Sequence, residues 1–321
     1  MSASGSSRVV VELSAVVVAV REDTPRVLVV TREGLPALPS GELDPDADHT
    51  LDRAMRRWSA EQTGLALGFV EQLYTFGDPG RDPDASAAGE RRLSVAYLAF
   101  VRDIESPILT APAAHWVDVY DLLPWEDHRA GDPGVMAAIR PAIAEWVDRG
   151  ANDDERAGRG ERADLSWGTG GARWDPVRSL ERFELLYDAG LVGESVPARM
   201  AAGAHTVGTE HTLGTMAALD HRRVLASALG RLRGKLTYRP VVFELLPPAF
   251  TLSQLQHVVE ALAGVTLHKQ NFRRLVEGAG LVDGTGERAA TTGGRPAELF
   301  RFRREVLRER PAPGMNLPGR R

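Results

Sequence analysis

From Val9 to Val20 apolar residues run almost without a break, and Val27-Leu28-Val29-Val30 follows the polar interruption Arg21-Glu22-Asp23-Thr24-Pro25. Two such runs at hairpin distance read as paired strands. A loop over Leu35-Pro36-Ala37-Leu38-Pro39-Ser40-Gly41 and an Asp-rich segment lead into a helical run, Thr50 to Gln62, which Gly64 stops. Leu73 to Phe76 and Leu93 to Phe100 are further strands, flanking the loop Gly77 to Arg92. Up to about residue 125 the pattern predicts an α+β unit in which strands dominate.

Beyond it the pattern changes. Gly134 to Val147 has helical spacing and Pro176 to Ala189 fits a second helix, whereas Asn152 to Gly171 is polar and Gly-rich. That polar stretch reads as a flexible loop or insertion, because a compact domain rarely holds a structureless run of that length. Asp220 to Leu236 is a strong helix, with Leu225, Leu229, Leu232 and Leu236 at intervals of three and four, placed to connect two domains. Thr251-Leu252-Ser253-Gln254 fits a capping box at the start of a helix that Gly264 ends. A second helix, His268 to Glu277, follows after a tight turn, and Leu281-Val282 with Leu299 to Phe302 read as a hairpin. Two short helices and a hairpin predict a winged helix-turn-helix.

Composition adds an asymmetry. The 321 residues carry a net charge of −5, but residues 231–321 hold 16 Lys and Arg against 8 Asp and Glu, leaving 23 against 36 for the rest. A basic C-terminal third suits a polyanion, and an acidic remainder repels one. With no cysteine, disulfides, thiolate zinc sites and a cysteine nucleophile are excluded. No run of roughly 18 apolar residues occurs and Met1 to Ser7 lacks the pattern of a signal peptide, so cytoplasmic residence without a membrane anchor is expected.

On the second C-terminal helix Phe272, Leu275 and Val276 share one face, which predicts packing against the first helix. Lys269, Gln270, Asn271, Arg273 and Arg274 then project outward, where a recognition helix meets base edges and phosphates. Arg, Asn and Gln are the side chains whose paired hydrogen-bonding groups read guanine or adenine. Thr292 and Arg295 at the hairpin tip, with Arg301, Arg303 and Arg304 beyond it, are the expected phosphate or minor-groove contacts of the wing.

In the N-terminal unit, Arg57-Trp58-Ser59-Ala60-Glu61-Gln62-Thr63-Gly64-Leu65 resembles the second half of a Nudix box, Arg-Glu-U-x-Glu-Glu-x-Gly-U with U bulky and apolar. Arginine, one glutamate and the glycine are present. Trp58 and Gln62 replace the other two carboxylates, and His49 stands where the upstream glutamate is counted back from Arg57. Nudix hydrolysis needs a carboxylate cluster to hold divalent metals, and one glutamate does not supply it. A chain without hydrolase activity and without metal or other cofactor is therefore expected.

Further along, Leu73 to Asp82, Ser94 to Leu98, Asp220-His221-Arg222-Arg223-Val224-Leu225, Phe243-Glu244-Leu245-Leu246-Pro247, Lys269 to Arg274 and Gly294 to Phe300 follow in order. In that combination the chain closely resembles the Nudix-related transcriptional regulators, the NrtR family. The resemblance covers residues 8–125 and 216–304. It implies a Nudix-like mixed sheet/helix sandwich over 8–125, an insertion or extension over 126–215, a linker helix over 216–236 and a winged helix over 237–310, with 1–7 and 311–321 as disordered tails. It also implies a homodimeric repressor that binds a palindromic operator in double-stranded DNA and is released by ADP-ribose or a related nucleotide, its targets usually serving NAD metabolism. Carried onto this sequence, the effector pocket would involve Ser40 and Gly41, Arg57, Glu61, Phe76, Asp78 and Arg81. Arg57 also stands four residues before Glu61, the spacing of a helical ion pair, and Asp78-Pro79-Gly80 alone fits a turn. Two other readings remain open here: an active Nudix hydrolase of ADP-ribose or sugar nucleotides, and a Nudix domain that serves only as a dimerisation scaffold.

Overall fold

The computed structural model describes residues 8–78, 81–82, 89–102, 114–195, 213–289 and 296–309. Strand β1 (Arg8–Arg21) is the centre of the first unit, and its valine run is buried on both sides. It pairs antiparallel with β2 (Thr24–Arg32) and parallel with β6 (Glu90–Phe100), in a register that sets Leu13 beside Val95 and Val18 beside Phe100. Strands β3 (Leu35–Ala37), β4 (Ser40–Glu42), β5 (Val70–Phe76) and β7 (His115–Asp118) complete a mixed sheet of order β3-β2-β1-β6-β5, with β4 on β1 and β7 on β2. The expected loop from Leu35 to Gly41 thus contains two short strands.

Because side chains alternate across a strand, each strand feeds two cores. Leu13, Ala15 and Val17 of β1 join Leu28, Val95, Tyr97 and Ala99 under helix α1 (Leu51–Thr63), which contributes Ala54 and Met55. Val16 and Val18 point the other way, with Val27, Val29, Ala96, Leu98 and Phe100, into a larger core. A single turn, α2 (Val119–Leu122), then leads to Trp125, Ile139 on α3 (Met136–Asp148) and Phe183 on α5 (Ser179–Asp188), all within that core.

The polar stretch expected to be a flexible loop is instead a helix. Helix α4 (Asp153–Trp167) opens on Asn152, whose side chain accepts from the Glu155 N–H, and closes on Gly168 at φ 68°. A Cβ on Gly168 would lie 2.4 Å from the Trp174 backbone nitrogen, so this cap admits no larger residue. Its few apolar positions hide the pattern, while the Arg159–Glu155 pair and the buried Ala163 and Ser166 hold it in place.

The helix expected to connect the domains is α6 (His221–Tyr238), and it runs as a core helix with Val224, Leu225, Ala228, Leu229 and Leu232 buried. Beyond it lies the winged helix. Helix α7 (Leu252–Ala263) carries both bonds of the expected capping box, and Gly264 ends it at φ 71°. Glu260 accepts from the Leu267 N–H at 2.6 Å and Gln256 donates to the Leu267 carbonyl at 2.8 Å, fixing the turn into α8 (Lys269–Gly278). Strands β8 (Val282–Arg288) and β9 (Glu298–Phe302) form the hairpin, and Phe250 bonds Phe300 in both directions as an isolated antiparallel bridge. The larger core continues without interruption from Val16 to Phe250, Leu255, Phe272 and Val276. Among the described residues no helix is long and apolar enough to cross a membrane.

Candidate functional site

The degenerate box lies on α1, and its two substituted positions are spent on packing. Trp58 lies flat on Gly41, where an added Cβ would come within 2.1 Å of the indole, and its Nε1 donates to the Glu42 carbonyl at 2.9 Å. Gln62 accepts from the Ser40 N–H at 3.1 Å and donates to the Ser40 carbonyl at 2.6 Å. Residues that would be carboxylates in a hydrolase therefore bind α1 to β4. Ser40 and Gly41 lie against the box, with their backbone already engaged by Gln62 and by β1.

Arg57 forks onto Asp48, with Nη2 at 2.8 and 3.0 Å and Nε at 3.2 Å, and also reaches Glu61 at 3.5 Å. Its hydrogen bonds hold the Asp48 carboxyl below the usual carboxylate range. Sequence reading missed Asp48, which lies nine residues upstream at no helical spacing. His49, counted as the upstream ligand, is exposed. The donors present do not fit a divalent metal of the kind Nudix hydrolysis uses, since a tryptophan and an amide already bonded to the backbone stand at two ligand positions. Among the described residues no group of three His, Asp or Glu side chains is placed to hold a metal.

The other expected pocket residues sit elsewhere. Phe76 is buried in the large core. Arg81 is buried and donates from Nη2 to Asp220 at 2.7 Å and from Nη1 to Glu12 at 3.5 Å. Burial works against its charge, and Asp220 with Glu12 outweighs burial, so its pKa is raised. Asp78 pairs with Arg223 at 2.7 Å. Both loop residues thus meet the first turn of α6, where two more bonds arrive: the Leu38 N–H donates to His221 Nδ1 at 3.0 Å, and the Ala218 N–H to the Pro36 carbonyl at 2.9 Å. Two loops beside the box are latched to one helix end.

On the winged helix, Lys269, Gln270, Asn271, Arg273 and Arg274 are all exposed, while Phe272 and Val276 face the core. Lys269, Arg273, Arg274 and the exposed Arg301 make no ion pair among the described residues. Arg303 differs, donating to the Gly280 carbonyl at 2.9 Å and pairing with Glu309 at 2.6 Å; Arg304 is exposed. Thr292 and Arg295 lie outside the described residues.

Residues 11–138 match the model of the NUDIX domain, and residues 242–302 match that of the NrtR DNA-binding winged helix domain. The chain thus carries a Nudix domain followed by a winged helix domain of the NrtR type. A relative, the ADPR responsive transcriptional repressor NtrR of Acinetobacter baylyi, is 39% identical over 93 residues, 29% of this chain. The match spans 37% of that repressor's length. Shewanella oneidensis NrtR complexed with a 27mer DNA superposes with a TM-score of 0.56 at 22% identity, covering 93% of this chain and 95% of that one. A MutT/nudix family protein from Enterococcus faecalis gives a TM-score of 0.53 at 16% identity over 93% and 89%. At those identities the likeness concerns fold, and it places the NrtR arrangement of Nudix sandwich and winged helix on this chain.

Proposed function

We propose that this chain is a ligand-responsive transcriptional repressor, with α8 entering the major groove of an operator and the Nudix domain binding ADP-ribose or a related nucleotide without hydrolysing it. The observation that carries the reading is the face of α8: three cations, an amide-bearing Gln270 and Asn271 stand exposed without internal ion pairs, on a helix whose other face is anchored by Phe272 and Val276. Bidentate amides and guanidiniums read base edges, and the cations supply phosphate attraction. The named Acinetobacter relative supports ADP-ribose as the effector. Trp58 and Gln62 support a sensor that does not hydrolyse, being committed to Gly41, Glu42 and Ser40.

An effector shifts DNA occupancy only as far as it prefers the DNA-free arrangement. The route we propose from the Nudix domain toward the winged helix is the latch itself, the Arg81–Asp220 and Asp78–Arg223 pairs that tie two loops to the first turn of α6. The experiment is binding of the full chain to its own upstream promoter DNA at a stated salt concentration, with and without ADP-ribose. Specific binding relieved by ADP-ribose, with no AMP released in the presence of magnesium, is the expected result. Absence of specific binding overturns the regulator, and AMP release that Glu61→Ala abolishes overturns the silent Nudix domain.

A further inference from the structure

A cavity of about 1180 Å³ opens between α3, α4 and the segment 168–174, on the opposite face of the sheet from α1. Its volume is somewhat above the roughly 300–1,000 Å³ of common small-molecule sites, which leaves room for a ligand with a substituent. Met136, Ile143 and Ala163 give it an apolar floor, and Trp167 and Trp174 give it flat aromatic walls. The charges stand at the rim, where Arg140 pairs with Asp132 at 2.7 Å.

Two features mark it as more than loose packing. Gly160, inside α4, lines the cavity, and a Cβ there would meet only Val147 Cγ1, at 3.9 Å. Glycine weakens a helix interior, and no neighbour requires it here; a side chain at this place would fill the space. The indole Nε1 atoms of Trp167 and Trp174 are both shut away from water without a hydrogen-bond partner. Buried donors are seldom left so, and the two residues that carry them both line this one space. Trp174 also contacts the His128 ring, edge to face at 4.8 Å, and the Arg182 guanidinium at 5.1 Å, which keep its indole at the cavity wall.

We infer that this cavity is a second small-molecule site, distinct from the Nudix pocket, and that it takes a planar heteroaromatic ring of purine size bearing hydrogen-bond acceptors. The ring body lies on the apolar floor between the indoles, its acceptor atoms answer the indole N–H groups after a small rotation of either side chain, and the remaining volume admits a polar substituent directed to the rim. This site does not depend on the reading of the winged helix.

The test titrates the full chain with adenine and with hypoxanthine, reading tryptophan fluorescence and calorimetry together. The expected result is saturable binding of at least one purine with quenching, which Gly160→Leu and Trp174→Phe each weaken by about tenfold or more. Gly160→Leu adds a helix-favouring residue, so an unchanged or higher melting temperature separates lost binding from lost fold. No saturable binding of either purine up to about 1 mM overturns the inference. Binding that neither variant alters overturns it too, because the purine then sits elsewhere in the molecule.

Discussion

Glu126 is the residue on which the junction between the sheet, α5, α6 and the winged helix closes. Its side chain is fully buried and accepts from Arg182 Nε at 2.7 Å and Nη2 at 2.9 Å, from Ser179 Oγ at 3.1 Å and from Arg233. Arg233 in turn donates to the Leu262 carbonyl of α7 at 3.1 Å. Burial pushes the Glu126 carboxyl up, but Arg182 and Arg233 outweigh it and bring its pKa from the ordinary 4.5 down to about 2. A carboxylate so depressed stabilises the fold fully above pH 4.5, and that stability is lost as pH falls toward 2. The drop corresponds to about 3 kcal/mol. Glu126→Gln keeps the shape and leaves two buried guanidiniums without a counter-charge, for which about 3–5 kcal/mol is expected. Urea unfolding of wild type and variant measures it: a gap of about 3 kcal/mol at neutral pH that narrows as pH falls below 4.5. A gap under about 1 kcal/mol, or one that does not change with pH, refutes the account of the junction.

Other predictions concern the reading head and the latch. Phe272→Ala removes a ring buried under α8 and costs about 3–5 kcal/mol in thermal or urea melts. Arg273→Ala leaves those melts unchanged, weakens operator binding and lowers the salt slope by about one, measured by fluorescence anisotropy; equal operator affinity refutes its place in the interface. At the latch, burial brings the pKa of His221 from 6.5 down to about 4, so the ring is neutral when folded. The unfolded chain takes up that proton first, and stability therefore declines as pH falls from 6.5 toward 4. His221→Gln should flatten that part of the urea stability profile, and an unchanged slope would show that another group produces it.

What this sequence determined by itself is whatever repeats at short spacing. The valine run of β1, the leucines of α6, the Thr251–Gln254 box and the amphipathic α8 all carry their signals within a few residues, and all four stand in the structure as expected. The motifs Arg57 to Leu65 and Lys269 to Arg274 were likewise legible, since the first is the end of one helix with its glycine cap and the second lies within one helix. Helix α4 was not, because its 15 residues are mostly polar and its stability comes from a side-chain cap and packing at Ala163 and Ser166. The partners of the pocket residues were hidden for a different reason. Asp220 lies 139 residues from Arg81, and Arg223 lies 145 from Asp78. No local pattern reports which cation meets which carboxylate when helices pack on a sheet. Only the tertiary structure decided that Arg81 is buried against α6, that Trp58 and Gln62 fasten β4, and that a cavity stays open beside Gly160. Burial and charge pairing depend on elements distant in the chain, whereas helix and strand depend on neighbours along it.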